Sequence, residues 1–137
     1  MLVVRQEQFE KVIKHSEEDF VNYLLGYVQN NHAEAIAGRD EATLRKMIRG
    51  GIKRAESHKI EKVEDTQNFI ANMFEVAPNF DEQREIRAVL EDETLTPDKR
   101  LEKLRSPVIS NENWEEARNN YDEKAWFPEK KKPKSPK

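Results

Sequence analysis

Over most of this chain, apolar residues recur at intervals of three, four and seven, the spacing that gathers them on one face of a helix. From Gln6 to about Gln29 they are Phe9, Val12, Ile13, Phe20, Leu24, Tyr27 and Val28, preceded by a short apolar lead-in at Leu2 to Val4. The polar run HSEED interrupts this stripe. Ser16 offers an N-cap there, with Asp19 as its capping-box partner. Val12, Ile13 and Phe20 nevertheless stay on one face across the gap, so the pattern predicts a single long helix. Asn30, Asn31 and His32 end it. Asp40 is a good cap for a second helix, with Glu41 in the first turn where the helix dipole favours an acid. Leu44, Met47, Ile48, Ile52 and Ala55 carry the stripe onward. Gly50 and Gly51 lie in its middle at a cost of about 1 kcal/mol each relative to alanine, and they predict close approach by a neighbouring helix, with a kink or a ligand contact as the alternative.

A third helix is expected from about Val63 to Val76, where Phe69, Ile70, Met73 and Phe74 form the densest apolar face in the chain. Pro78 stops it, because the residue before a proline avoids the helical region, and Phe80 is expected to tuck back onto the core. Asp81 is positioned to cap a fourth helix carrying Ile86, Val89 and Leu90. Thr96-Pro97 starts a fifth, a capping side chain followed by proline at the first helical position; Leu101 and Leu104 are its core residues, and Ser106-Pro107 breaks it. Ser110 caps a last helix bearing Trp114, Ala117 and Tyr121. No stretch alternates as a strand would, and no internal repeat is found. The expected architecture is all-α, a single compact bundle of five or six helices over residues 1–127. Residues 128–137 contain lysine and proline but nothing apolar to offset an ordering entropy, and are expected to form a disordered tail.

Composition narrows the function classes. With 36% hydrophobic and 37% charged residues and a mean hydropathy of −0.99, a core forms only if each helix places its apolar residues on one side. The 24 basic and 27 acidic residues are interspersed, and the net charge of −3 lacks the basic footprint of a nucleic-acid binder. The absence of cysteine excludes a disulfide framework, a thiolate nucleophile and a cysteine zinc site. The amino-terminal MLVVRQEQFEK is too short and too soon charged to read as a signal peptide. No apolar run approaches the roughly 18 residues that span a membrane. The expectation is a cytoplasmic protein that meets neither membrane nor nucleic acid.

Candidate chemistry is sparse. His15, His32 and His58 stand alone, without the short spacing of a zinc site. The paired carboxylates, such as Glu64-Asp65, Asp81-Glu82 and Glu91-Asp92-Glu93, fall at helix ends or on polar faces, as caps and solvated charge do. Neither a phosphate-binding loop nor a dinucleotide fingerprint is present, so the expectation is no cofactor, no metal and no catalysis. The lysines of the tail (Lys130, Lys131, Lys132, Lys134, Lys137) have no aromatics among them to stack bases, and they read as solubilising. Aromatic residues are enriched at protein–protein hot spots. Tyr121, Trp126 and Phe127 lie in a highly charged segment, and Trp126 and Phe127, beside Pro128, are the expected exposed anchors for a partner; Trp114 is expected in the core.

The segments VVRQEQF, LRKMIRGGIKRAESHKI, VEDTQNFIANMFEVAPNFD and DETLTPDKRLEKL follow one another over Val3 to Leu104. In this order they resemble a family of small helical bacterial proteins encoded beside the spike and PAAR-type tip genes of type VI secretion effector clusters. In that family the helical core is followed by an aromatic turn ending in Phe-Asp, here Phe80-Asp81, and then by a proline-started helix, here from Pro97. The chain departs from the pattern at two points: the connector at His58 lacks a glycine, and Glu61 stands where a Ser or Thr cap is usual. The resemblance implies a protein partner, either an effector toxin or a spike-tip protein. The role would be that of an adaptor or chaperone, or alternatively of an immunity protein that neutralises a toxin. Phe80 and Asp81 join Tyr121, Trp126 and Phe127 as candidate partner-binding residues.

Overall fold

The structure, a computed structural model, describes residues 6–127, with side chains from Glu10 to Phe127. Seven α-helices are found among the described residues, and no strand. They are α1 (Gln6–Ile13), α2 (Glu17–Asn31), α3 (Glu41–Ser57), α4 (Val63–Glu75), α5 (Arg84–Leu90), α6 (Pro97–Leu104) and α7 (Asn111–Asn119), with short 3-10 turns at Phe80–Glu82 and Glu123–Trp126. The all-helical class is as expected; the number of helices is larger. The expected lead-in at Leu2 to Val4, the side chain of Phe9 and the tail from Pro128 lie outside the described residues.

The extra helix comes from the HSEED run. Ser16 adopts an extended backbone and its hydroxyl accepts the Asp19 amide at 3.0 Å, starting α2 afresh. The single long helix expected there is therefore two, because a local cap satisfies an amide that a continuous helix would have bonded to its own backbone. Val12, counted in the expected core stripe, is 68% exposed as a consequence. Instead α1 is tied to the start of α4. The Glu10 carboxylate accepts the Val63 amide at 2.7 Å, and Lys14 Nζ donates to the Glu61 carbonyl. Lys62, the residue before α4, makes no side-chain cap. A carboxylate from another helix thus does the work that a Ser or Thr at the connector would do.

Other starts follow the expected chemistry. Asp40 Oδ1 accepts the Thr43 amide at 2.8 Å, and Ser110 and Asn113 form a reciprocal capping box at α7. Pro97 opens α6, although the Thr96 hydroxyl donates to Asp98 rather than capping. The core is built where α2, α3 and α4 meet and is extended by α5 and α6. Leu24, Met47, Ile48, Ile60, Phe69, Ile70, Met73, Phe80, Ile86, Leu90 and Leu104 are fully buried in it. Gly51 lies at the contact between α3 and α4: a Cβ there would fall 2.9 Å from Ile70 Cγ1 and 3.3 Å from Met73 Sδ. This is the close approach that the glycine pair predicts.

Candidate functional site

Two of the candidate residues, Phe80 and Asp81, lie in the turn after α4, and the other three lie after α7. Asn79 is buried, and its amide clamps the end of the chain: Oδ1 accepts the Asp122 amide at 2.9 Å and Nδ2 donates to the Asn120 carbonyl at 2.9 Å. The Phe80 ring packs against Phe69 and Trp114, with ring centres 5.0 Å and 6.2 Å away. Asp81 turns the other way, toward the end of α3. Arg54 donates to it from Nε at 3.0 Å and from Nη2 at 2.8 Å, while His58 Nε2 lies 2.8 Å from Oδ2. A second carboxylate, Glu82, takes Arg54 Nη2 at 3.1 Å. Three neighbouring residues thus point to three parts of the fold.

Asp81 was expected to cap the fourth helix, and it does not. Gln83 fills that place, its Oε1 accepting the Ile86 amide at 3.0 Å. The reason is electrostatic. At 5% exposure, an aspartate needs a counter-charge more than a helix end needs a cap. Burial by itself would raise the Asp81 carboxyl, but the hydrogen bonds from His58 and Arg54 outweigh it and hold the group below the ordinary carboxylate range. Burial likewise works against the charge of Arg54, and its bonds to Asp81 and Glu82 overcome that and strengthen its hold on the proton.

Past Asn120 the chain forms a hook. Asp122 Oδ1 accepts the Lys124 amide at 3.1 Å and starts the 3-10 turn that carries Trp126 inward. The indole is 1% exposed and lies on Phe74 with ring centres 4.5 Å apart. Its Nε1 donates to the Tyr121 hydroxyl at 3.1 Å, which in turn donates to Glu123 at 2.7 Å. Burial and then the Glu123 bond push the Tyr121 phenol up, so it stays protonated and able to donate. Arg39 reaches Glu123 from the start of α3 at 3.3 Å.

No family model matches this chain, and neither a curated protein nor a solved structure matches it. The site therefore stands on its own geometry. Trp126 and Phe80 are core residues and Asp81 is a buried ion, so none of the three presents a face to a partner in this fold. Trp126 was expected at the surface because it precedes a proline and lies among charges; the 3-10 turn, invisible in that local pattern, rotates it onto Phe74. Tyr121 and Phe127 remain at the surface, 43% and 39% exposed. Arg54, His58 and Asn79 carry the connections among these elements and were not singled out for them. Their partners lie 23 to 43 residues away in sequence, and no spacing rule links polar residues so far apart.

Chemically, Asp81 with Arg54 and His58 is a clamp, because the guanidinium already neutralises the carboxylate that would otherwise polarise the imidazole. It borders a cleft of about 510 Å³ whose other walls include Arg87 and Glu91. No group of histidine and carboxylate side chains among the described residues is arranged to hold a metal ion, and no helix there is long and apolar enough to cross a membrane.

Proposed function

We propose that the protein is a non-enzymatic accessory protein that binds a secreted effector or a spike-tip protein of a bacterial type VI secretion system, in the manner of an adaptor or chaperone, and acts in the cytoplasm. The resemblance over Val3 to Leu104 names the setting. The observation that carries the binding role is the pair Tyr121 and Phe127, two exposed aromatics on a segment that is fastened at both ends. Asn79 holds its start and buried Trp126 its end. Aromatic side chains held in advance lose little freedom on binding and so contribute more of their buried area to affinity.

An immunity role is the alternative, and one observation favours it. Glu85 and Glu116 both accept from Gln83 Nε2 at 2.7 Å, and Glu82 lies one residue away. Glu116 and Asp122 share a cleft at the start of the hook with Glu82, which Arg54 engages, and with Arg84; the acids outnumber the bases there, as suits a basic toxin.

The test is affinity purification of the tagged full-length chain from cells expressing the neighbouring genes, with the Tyr121→Ser/Phe127→Ser double variant in parallel. Recovery of the effector or tip protein at near-stoichiometric yield, lost in the variant, is the expected result. If neither protein is recovered from cells shown to express both, the accessory role is wrong. Protection of cells from the effector would select the immunity reading, and a requirement in export without protection would select the adaptor.

A further inference from the structure

A second cleft, of about 800 Å³, shares His58 and Glu91 with the first and has Lys59, Arg100 and Glu93 among its other walls. Arg100 is 8% exposed. Its Nε donates to the Asp92 carbonyl at 2.8 Å, and Nη1 reaches the His58 carbonyl at 3.5 Å. These bonds join the ends of α5 and α3, yet Arg100 makes no ion pair among the described residues. Carbonyl dipoles at helix ends offset part of the cost of burying a guanidinium, but they are not a counter-ion. Nη2 has no hydrogen bond among the described residues. No buried side-chain nitrogen there lacks a partner, so Nη2 is reached by solvent, on a residue that lines this cleft.

The remaining charges point the same way. Glu91 is taken by Arg87 at 3.0 Å, so among the described residues Arg100, Lys59 and Glu93 are the charged walls outside ion pairs, and the Asp92 carboxylate is near enough to Arg100 to feel its charge. Two basic and two acidic residues thus line this cleft, and one of the acids is already engaged by Arg87. Lys59 is held there at φ 65°, in a region that L-residues avoid. Its backbone closes α3 where a glycine is the usual choice, so this lysine sits at a position that costs conformational strain.

We propose that this cleft binds a carboxylate, held by Nη2 of Arg100 and the Lys59 ammonium. Glu93 in the cleft wall and Asp92 close to Arg100 disfavour a dianion such as phosphate. A single carboxylate has two oxygens, one to accept from Nη2 and one from the ammonium. The source is either a free small carboxylate or the carboxyl terminus of a polypeptide. The site does not depend on the accessory role proposed above.

The experiment uses the full-length, nitrogen-15-labelled protein titrated with N-acetylglycine and, separately, with its neutral amide, N-acetylglycinamide. Shifts are followed at Arg100 Nε–H and at the backbone amides of residues 57–60. Saturable shifts with the carboxylate and none with the amide are expected. Lys59→Gly, which keeps the fold, and Arg100→Lys, which keeps the charge but loses the planar edge, should each weaken binding about tenfold or more. Equal shifts with both compounds, or unaltered binding in Lys59→Gly, would overturn the site. Binding of inorganic phosphate more tightly than N-acetylglycine would overturn the carboxylate assignment. Either ordering of acetate and N-acetylglycine supports it: tighter acetate binding identifies a free carboxylate, and tighter N-acetylglycine binding a polypeptide terminus.

Discussion

Lys59 is the residue at which backbone and sequence disagree most. The Lys59 amide bonds the Glu56 carbonyl and the Ile60 amide reaches back to Ala55 at 3.0 Å, the paired bonds of a Schellman close. The connector's missing glycine is thus missing at the left-handed position itself. An L-residue there costs about 1–2 kcal/mol, from which glycine's greater unfolded-state entropy subtracts part. Lys59→Gly is expected to stabilise the fold by about 1 kcal/mol, read as a higher urea midpoint at unchanged slope. Asp81 presents the opposite case, a residue whose loss leaves charges behind. Asp81→Asn should cost about 3 kcal/mol, because Arg54 and His58 lose their shared partner. The pH dependence separates the two proteins. The folded carboxyl lies below its unfolded value, so its contribution is complete above about pH 4 and is lost as the pH falls through the folded value. The stability gap between wild type and Asp81→Asn should therefore narrow on acidification below about pH 4. A gap that stays constant down to pH 2 would mean that Asp81 does not hold the clamp as a carboxylate.

At the scale of elements, the features legible in the sequence were those settled by neighbours in the chain. Asp40, Pro97 and Ser110 mark helix starts because a cap acts over three residues, and the stripe of α3 is read from a local period. The break between α1 and α2 is hidden in the sequence for a related reason. Two local signals competed there, and the cap at Ser16 prevailed over a stripe whose member Val12 is exposed. Glycine shows how much depends on the neighbouring helix. Gly26 in α2 has no atom within 4 Å of a would-be Cβ, whereas at Gly51 the stiff, β-branched Ile70 stands 2.9 Å away. Gly26→Ala should gain about 0.5–1 kcal/mol by helix propensity and reduced unfolded-state freedom. At Gly51→Ala the same gain is exceeded by an overpacking cost of about 1–3 kcal/mol, leaving a net loss. Thermal melts of the two single variants check this; shifts of the same sign would contradict the packing of α3 on α4.

Across the whole molecule, the connections that matter span long stretches of chain. The turn at Asn79–Asp81 draws together α3, the core and the carboxyl-terminal hook. A pairing such as Asn79 with Asp122 leaves no trace in periodicity. The same holds for the candidate site: the sequence marks aromatics in a charged segment, but burial is decided by Phe74, which lies beneath one of them and far away in the chain. Trp126 and Phe127 are adjacent, and the fold gives them opposite roles. Trp126→Ala removes a fully buried indole that closes the end of the bundle, and should cost about 3–5 kcal/mol. Phe127→Ala removes a ring that is 39% exposed and should change stability by less than about 1 kcal/mol. Chemical denaturation of the two variants decides the matter. Small and similar losses would return Trp126 to the surface as a binding residue. The expected contrast would confine the aromatic surface of the hook to Tyr121 and Phe127, because replacing Trp126 would then act on a partner only by loosening the segment that carries them.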